Sequence, residues 1–268
     1  MAHILVTGGT GTLGRQLVRQ LCNKGFEVGI LTTRPKADLP SGARLFTGDL
    51  TRFETIEPVV REAAVIIHCA SNPRDAYSVD VGGTRNLLAA ADANRLQHLV
   101  YLSIAGIDHS PHPYYKAKRE AERMIEASAV PWSILRATQF HDYVLHRVIE
   151  PADHRDGSPL AVPASLKFQS VDVKDVSSRL QNLAMAKPLR ETVTMGGPEI
   201  LTLGQMARAY LGAQHRNEDV RSEDNGIYFE IFQSGMNVNP DWTDGKVSWD
   251  TFLKNAPQPK TNPDSYRD

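Results

Sequence analysis

The sequence has few of the residues that mark disulfide-bonded, metal-binding or membrane-spanning proteins. Its two cysteines, Cys22 and Cys69, are too few for a disulfide framework, and we expect both to be small buried packing residues. No run of apolar residues reaches the length of about 20 that a membrane-spanning helix requires. No spacing of His, Cys, Asp and Glu indicates a metal site, so no metal is expected.

The sequence also lacks an excess of charge of one sign. Lysines and arginines number 30 and acidic residues 31. Because there is no net field and no basic segment interleaved with aromatic residues, we expect neither a nucleic-acid partner nor a membrane partner. Only a few apolar residues precede Gly8, too few for a signal peptide, so we expect a cytoplasmic location.

A glycine-rich turn follows the first short apolar segment. Glycines 8, 11 and 14 satisfy G-x-x-G-x-x-G directly before an apolar helical stripe. Such glycines allow a sharp turn, a close approach of the backbone to a pyrophosphate, and close packing of helix on strand. The N–H groups at the helix N-terminus favour phosphate. The predicted dinucleotide contacts in this turn are Gly8, Thr10, Gly11, Thr12, Leu13 and Gly14.

The end of the second predicted strand, residues 27–33, indicates which dinucleotide binds. An NAD-specific site has an acidic residue there for the ribose 2′-hydroxyl, whereas this chain has Thr33 and Arg34, with Lys36 just beyond. A guanidinium binds a phosphate bidentately, and a carboxylate would repel it. We therefore expect NADP(H) to be preferred and NAD(H) to remain possible. The alternative interpretation is that Arg34 is a solvated loop cation.

Strands and helices alternate along the first 150 residues. Six predicted strands, ending near residues 7, 33, 47, 69, 103 and 137, are joined by helical segments. This alternation predicts an α/β fold with a doubly wound parallel sheet, the Rossmann fold. Ligands of such sheets bind at the carboxyl ends of the strands. That rule adds Asp49, Leu50, Ala70, Ser71, Ser103, Thr138, Gln139 and Phe140 to the predicted cofactor contacts.

The regular pattern loosens in the second half. We predict a dinucleotide-binding core over residues 1–150 and a mixed region over 151–268. Residues from about 165 to 198 are expected to return in part to the sheet, and the rest to form a small C-terminal lobe that covers the substrate. Later helices are predicted to be capped by Thr202, Ser222 and Ser248.

Six short motifs occur in order along the chain: residues 7–14, 48–50, 80–91, 101–103, 114–118 and 131–140. Together they resemble the short-chain dehydrogenase/reductases, in the atypical, extended branch of NmrA-like NAD(P)H-binding proteins. The resemblance implies that Asp49 and Leu50 contact the adenine, that the Ala70–Ser71 loop runs beneath the cofactor, and that residues after the sixth strand border the nicotinamide. Many extended members have an Asn-Ala-Gly-like loop where this chain has Cys69-Ala70-Ser71.

Tyr114 and Lys118 have the Y-x-x-x-K spacing that this family uses for hydride transfer. Residues four apart share a helix face, so the ammonium would lower the pKa of the phenol from about 10. The phenol would donate a proton to the substrate oxygen, Ser103 would bond the same oxygen, and Lys118 would also hold the ribose. Alternatively, Tyr114 packs against its loop and Lys118 pairs with Glu122 on the surface. His141 is a second candidate proton donor, or else a core histidine.

The leading hypothesis is an NADP(H)-dependent oxidoreductase that transfers hydride to a carbonyl, enone or quinone-like small molecule without a metal. The alternative is a non-catalytic, NmrA-like regulatory protein that senses NAD(P) and signals to a protein partner. A third possibility, an epimerase with tightly held NAD, is disfavoured by Arg34.

Overall fold

The computed structural model describes residues 4–91 and 95–256. In chain order the strands are β1 (Ile4–Thr7), β2 (Val28–Thr32), β3 (Ala43–Thr47), β4 (Val65–His68), β5 (His98–Ile104), β6 (Trp132–Ala137), β7 (Leu160–Val162), β8 (Lys167–Phe168), β9 (Thr192–Met195), β10 (Leu201–Thr202) and β11 (Val220–Ser222). The helices are α1 (Thr12–Asn23), α2 (Phe53–Val60), α3 (Gly83–Ala90), α4 (Pro113–Glu126), α5 (His141–Tyr143), α6 (Val173–Met185), α7 (Leu203–Ala213), α8 (Gly226–Phe232) and α9 (Trp249–Asn255).

Two helices carry π-helical turns. The turn Tyr77–Gly82 runs directly into α3, and the turn Val144–Ile149 follows α5. Short 3-10 turns occur at Ile107–His109 and Glu150–Ala152. π-helical turns occur frequently at functional sites, which draws attention to the segment before α3.

The described residues form two compact units. The first contains those up to Arg136 together with Val176–Thr194, and the second contains Ala137–Asp175 and those from Met195 onward. The sequence pattern predicted a division near residue 150. The units divide earlier because the apolar side chains of the turn Val144–Ile149 pack in the same core as α7.

The first unit is built on a seven-stranded sheet in the order β3-β2-β1-β4-β5-β6-β9. The β1 strand pairs in parallel with β2 on one side and with β4 on the other. Strand β9 runs parallel to β6, because the hydrogen bonds from Ile134 N–H to Glu191 O and from Thr138 N–H to Met195 O join residues at the same separation along the chain. β1 and β2 are buried along their whole length, as expected for a sheet covered on both faces. The predicted doubly wound α/β fold is confirmed.

Helix α1 follows the glycine turn and packs through its predicted apolar stripe. Leu13, Leu17 and Leu21 are buried. The helix ends in a Schellman motif, because Phe26 N–H reaches Leu21 O and Gly25, at φ +85°, donates to Cys22 O. Local chemistry therefore sets the C-terminal end of this helix.

The second unit has its own apolar core and two small sheets. β7 pairs in parallel with β11, and β8 pairs antiparallel with β10. Thr202 caps α7 in a reciprocal capping box with Gln205, and Ser248 caps α9. The predicted cap at Ser222 is wrong, because Ser222 ends β11 and Asn225 occupies the N-cap position of α8.

Across the two described stretches, no helix combines the length and the apolar character needed to cross a membrane.

Candidate functional site

The glycine turn is held by close backbone contacts that no larger residue permits. Gly8 has φ +69°, and a Cβ on it would lie 2.8 Å from the backbone N of Ala70. A Cβ on Gly14 would lie 2.1 Å from the carbonyl oxygen of Gly8. The turn therefore packs closely against the loop after β4 and the start of α1. A sharp turn and close packing of helix on strand are the roles predicted for these glycines.

The N-terminus of α1 faces solvent at this turn. Gly11 is its N-cap residue, no side chain caps it, and Gly11 and Thr12 are exposed. No acidic residue occupies the first helical turn. A helix end of this kind presents backbone N–H donors and the positive end of the helix dipole, so it fits a diphosphate.

A cavity of about 260 Å³ adjoins the glycine turn. Gly9, Thr10 and Ile30 contribute to its wall, which carries one carboxylate, Asp38. The same wall carries four cationic side chains, Arg15, Arg19, Arg34 and Lys36, and we call this space the basic cavity. Its charge and position suit the 2′-phosphate of an adenosine ribose.

Sequence reasoning missed Arg15 and Arg19, two members of the basic cavity. They lie four residues apart on α1, so they project from the same face of the helix. Like charges at this spacing destabilise an isolated helix, and a bound anion offsets that repulsion. The signal was present in the sequence as a pair of arginines one turn into the helix after the glycines.

The loop after β2 is tied to the glycine turn through threonines. The Thr32 hydroxyl accepts from the Arg34 backbone N–H at 3.2 Å and bonds the Thr10 hydroxyl at 3.2 Å. Thr33, the other predicted contact in this loop, is exposed and is not part of the cavity wall. The cofactor roles of Arg34 and Thr33 stay predictions.

A buried chain of polar groups fixes the loop after β4. The Ala70 N–H donates to the Thr7 hydroxyl at 3.2 Å, and that hydroxyl bonds Nδ1 of His68 at 2.6 Å. The other ring nitrogen, Nε2, bonds the Thr84 hydroxyl at 3.1 Å, which donates to the backbone oxygen of Asp80. Burial lowers the pKa of His68 to about 3, so the ring is neutral, and the network assigns its proton to Nε2.

The three predicted catalytic side chains lie in the first unit, on β5 and α4. The Tyr114 hydroxyl bonds the Ser71 hydroxyl at 2.9 Å. The Lys118 ammonium donates to the Leu102 carbonyl at 2.8 Å. The Ser103 hydroxyl is buried and has no hydrogen-bond partner among the described residues. A buried hydroxyl without a partner is costly, and a ligand oxygen would satisfy it.

The structure corrects the expectation for the Tyr114 pKa and the alternative interpretation of Lys118. The pKa of Tyr114 is raised above its usual value, first by burial and then by the charge of Asp80, whereas a lowered value was expected. Lys118 is buried and lies 3.5 Å from Asp80 Oδ1, so it does not pair with Glu122 at the surface. Glu122 instead receives two hydrogen bonds from Arg136, at 2.8 and 2.6 Å.

Asp49 and Leu50 are fixed at the end of β3. Asp49 Oδ1 accepts from the Thr51 N–H at 2.9 Å and from its hydroxyl at 2.8 Å. Leu50 is buried, and its carbonyl accepts from the Asn86 amide at 2.8 Å. The predicted adenine contacts therefore come from a rigid segment, and their role stays a prediction.

Thr138, Gln139 and Phe140 follow β6 directly and belong to the second unit. Thr138 donates from its hydroxyl to the Gln169 carbonyl, and Phe140 forms a bridge with Val171. Gln139 is buried, and its side-chain oxygen has no partner among the described residues. Their predicted contacts with the cofactor stay predictions.

His141 is a core residue of the second unit. Its Nδ1 bonds the Ser170 hydroxyl at 2.8 Å, and its Nε2 bonds the Val247 carbonyl at 2.9 Å. Burial lowers its pKa. Both ring nitrogens are engaged within the fold, so the structure supports the core-histidine interpretation over the proton donor.

Both cysteines are free thiols and are partly buried. Burial raises the pKa of Cys69 to about 12 and also raises that of Cys22, so neither is a thiolate at neutral pH. In the part of the chain that the structure describes, no cluster of His, Cys, Asp and Glu has the geometry of a metal site.

Comparison with known proteins places this geometry in a family. Residues 8–158 match a family model described as NAD(P)H-binding. The photosystem II assembly factor Ycf39 of Trieres chinensis is 31% identical over 204 residues, covering 72% of this chain and 63% of that protein. A second Ycf39, from Cyanophora paradoxa, is matched over 49% of its length. The chain thus spans less than two thirds of these relatives.

Two solved structures share the fold at low identity. UDP-glucose 4-epimerase of Thermus thermophilus, solved in complex with NAD, has a TM-score of 0.72 and 20% identity, covering 94% of this chain and 96% of that one. The NADPH-dependent quinone oxidoreductase QOR2 of Escherichia coli has a TM-score of 0.73 and 15% identity, covering 93% and 98%. These similarities confirm the Rossmann fold, and the family match over residues 8–158 confirms the predicted resemblance to NAD(P)H-binding proteins.

Proposed function

Because the chain belongs to the NAD(P)H-binding family, we propose that it is an NADP(H)-dependent oxidoreductase that transfers hydride to a carbonyl, enone or quinone-like small molecule. The observation that carries this proposal is the basic cavity beside the glycine turn. Four cationic side chains and a single carboxylate line it, which favours a cofactor with a phosphate on its ribose. We propose that NADP(H) is preferred over NAD(H) on this ground.

The residues of the first unit support a reductase mechanism. NADPH supplies the hydride when it is bound. The Ser103 hydroxyl, which has no partner in the described part of the chain, would bond the substrate oxygen, and the Tyr114 phenol would give that oxygen its proton. The Lys118 ammonium would hold the cofactor ribose and so orient the nicotinamide. Each residue acts by binding, orienting or moving one proton.

The raised pKa of Tyr114 fixes the protonation state of the proposed proton donor. Its phenol stays protonated at neutral pH because burial and the charge of Asp80 disfavour the phenolate. A protonated phenol is ready to donate, whereas the reverse reaction needs a phenolate base. The Ser71 hydroxyl, 2.9 Å away, orients the phenol.

The cofactor preference is tested with the variant Arg34→Ala. Its affinity for NADPH is expected to fall about 10- to 100-fold, because a charge-assisted hydrogen bond to the 2′-phosphate is lost. Its affinity for NADH should change less than about threefold, since NADH lacks that phosphate. Isothermal titration of both nucleotides measures the two effects.

The variant Arg61→Ala is the matched control. Arg61 is exposed, pairs with Glu57 and is not part of the cavity wall, so both affinities should stay at the wild-type level. Equal losses of NADPH and NADH affinity in Arg34→Ala would contradict the assignment of the 2′-phosphate to the basic cavity.

A second candidate function is supported by the names of the relatives. Ycf39 of Trieres chinensis is named a photosystem II assembly factor. A non-catalytic chain that senses NAD(P) and binds a protein partner would bind NADPH tightly and show no turnover with a broad panel of carbonyls, enones and quinones. If the chain shows no turnover and captures a partner protein only when nucleotide is bound, the sensor function replaces the reductase proposal.

A further inference from the structure

Asp80 is a fully buried carboxylate at the centre of the candidate site. It lies in the π-helical turn Tyr77–Gly82 that precedes α3, and none of its side chain reaches solvent. Burying a carboxylate costs several kcal/mol unless a cation and hydrogen bonds compensate for its lost hydration. The contacts that its two oxygens make compensate for that cost.

The two oxygens of Asp80 contact different parts of the site. Oδ2 accepts from the Asn72 backbone N–H at 3.1 Å. Oδ1 faces the Lys118 ammonium at 3.5 Å, a distance at which charge attraction rather than a short hydrogen bond makes the contact. Asn72 follows Ser71, which bonds the Tyr114 hydroxyl. One carboxylate thus joins the lysine to the loop that orients the phenol.

The other groups around Lys118 do not replace this charge. Glu122, one turn further along α4, is already paired with Arg136 and Arg119. The thiol of Cys69 is neutral because burial raises its pKa to about 12, and the buried His68 is neutral as well. The neutral ring of Tyr101 lies under the ammonium, with its centroid 4.1 Å from Nζ.

We propose that Asp80 is a positioning residue for this site: its carboxylate holds the Lys118 ammonium through one oxygen and the loop that carries Ser71 through the other. The inference rests on the proposed function only in assigning Lys118 to the cofactor. Burial alone lowers the pKa of Lys118, and Asp80 and Glu122 act against that change. Asp80 therefore acts against the effect of burial on the ammonium and helps to hold it in place.

The test is the pair of variants Asp80→Asn and Asp75→Asn. Asparagine keeps an oxygen that can accept from the Asn72 N–H but removes the charge next to Lys118. The pKa of Lys118, followed by NMR of its Cε and assigned with Lys118→Arg, should fall by about 1 unit or more in Asp80→Asn. Asp75 lies in the same segment and is exposed, so Asp75→Asn should shift it by less than about 0.3 units.

A second measurement links the charge to the cofactor. The dissociation constant of NADPH is measured from pH 6 to 10, and the loss of affinity at alkaline pH should begin about 1 unit lower in Asp80→Asn than in the wild type. If Asp80→Asn does not fold, Asp80→Ser replaces it, because the serine hydroxyl carries no charge and can still accept from the Asn72 N–H. The Lys118 pKa in Asp80→Ser should fall by about 1 unit or more, as in Asp80→Asn.

The proposal is overturned if Lys118 titrates alike in the wild type and in Asp80→Asn, or in Asp80→Ser where that variant is used. If the Lys118 pKa falls but the two NADPH profiles coincide, the link between Asp80 and Lys118 is supported and the assignment of Lys118 to the cofactor is refuted. The NMR titration needs neither nucleotide nor turnover, so it gives its result even if the reductase proposal fails. A wild type that binds NADPH but reduces no acceptor refutes the reductase and leaves the link between Asp80 and Lys118 measurable.

Discussion

Replacing Tyr114 with Phe is expected to lower kcat by about 10²- to 10⁴-fold, the usual contribution of a positioned proton donor. The ring stays and the hydroxyl goes, so the bond to Ser71 is lost while the packing of the side chain is kept. The affinity for NADPH should change less than about threefold, because the phenol is assigned to the substrate oxygen and not to the cofactor. Stopped-flow oxidation of NADPH with a turned-over acceptor measures the first effect, and titration measures the second.

The control for Tyr114→Phe is Tyr77→Phe. Tyr77 lies in the π-helical turn of the same unit, its side chain is exposed, and loss of its hydroxyl should leave kcat at the wild-type value. The variant Ser103→Ala is an independent test of the mechanism. It removes the hydroxyl that has no partner among the described residues, so it should reduce kcat without lowering the melting temperature. Wild-type turnover in Tyr114→Phe would remove the phenol from the mechanism.

Replacing Gly14 with Ala is expected to lower the melting temperature by about 5–10 °C and the NADPH affinity at least about tenfold. The new methyl group would lie 2.1 Å from the Gly8 carbonyl oxygen, a contact that only a backbone shift relieves. That shift moves α1 away from the turn and disturbs the N–H groups predicted to bind the diphosphate. Differential scanning calorimetry with and without NADPH measures both effects.

The control for Gly14→Ala is Gly212→Ala. Gly212 lies in the last turn of α7, and a Cβ on it would meet no atom within 4 Å. Alanine is the better helix former, so this variant should keep or slightly raise the melting temperature. If Gly14→Ala is as stable as Gly212→Ala and binds NADPH equally well, then close packing at the turn is not what the glycine provides.

Local features of the site could be predicted from the sequence because they depend on neighbouring residues. The glycine turn is specified by steric limits at Gly8 and Gly14, and both limits are met in the structure. The apolar stripe of α1 is specified by its 3.6-residue period. The parallel sheet followed from the alternation of strands and helices, since such strands must be joined by crossover helices.

The pairing of distant residues could not be predicted in the same way. The alternative interpretation placed Lys118 beside Glu122, four residues away, and it pairs with Asp80 instead. The packing of α4 on the π-helical turn Tyr77–Gly82 decides that choice, and no spacing within α4 encodes it. The pKa of Tyr114 was expected to fall and is raised, because burial and the charge of Asp80 disfavour the phenolate.

By itself the sequence determined the fold class, the glycine turn and the strand ends at which ligand contacts are predicted, because periodicity, glycine sterics and chain direction are local properties. Only the tertiary structure decided that Thr7 and His68, 61 residues apart, form one polar chain, and that Arg15 and Arg19 share a cavity with Arg34. The physical reason is that strand register and helix packing set which distant side chains meet. Burial then sets which of the side chains brought together are charged and which are neutral, and it makes a buried hydroxyl without a partner available to a ligand.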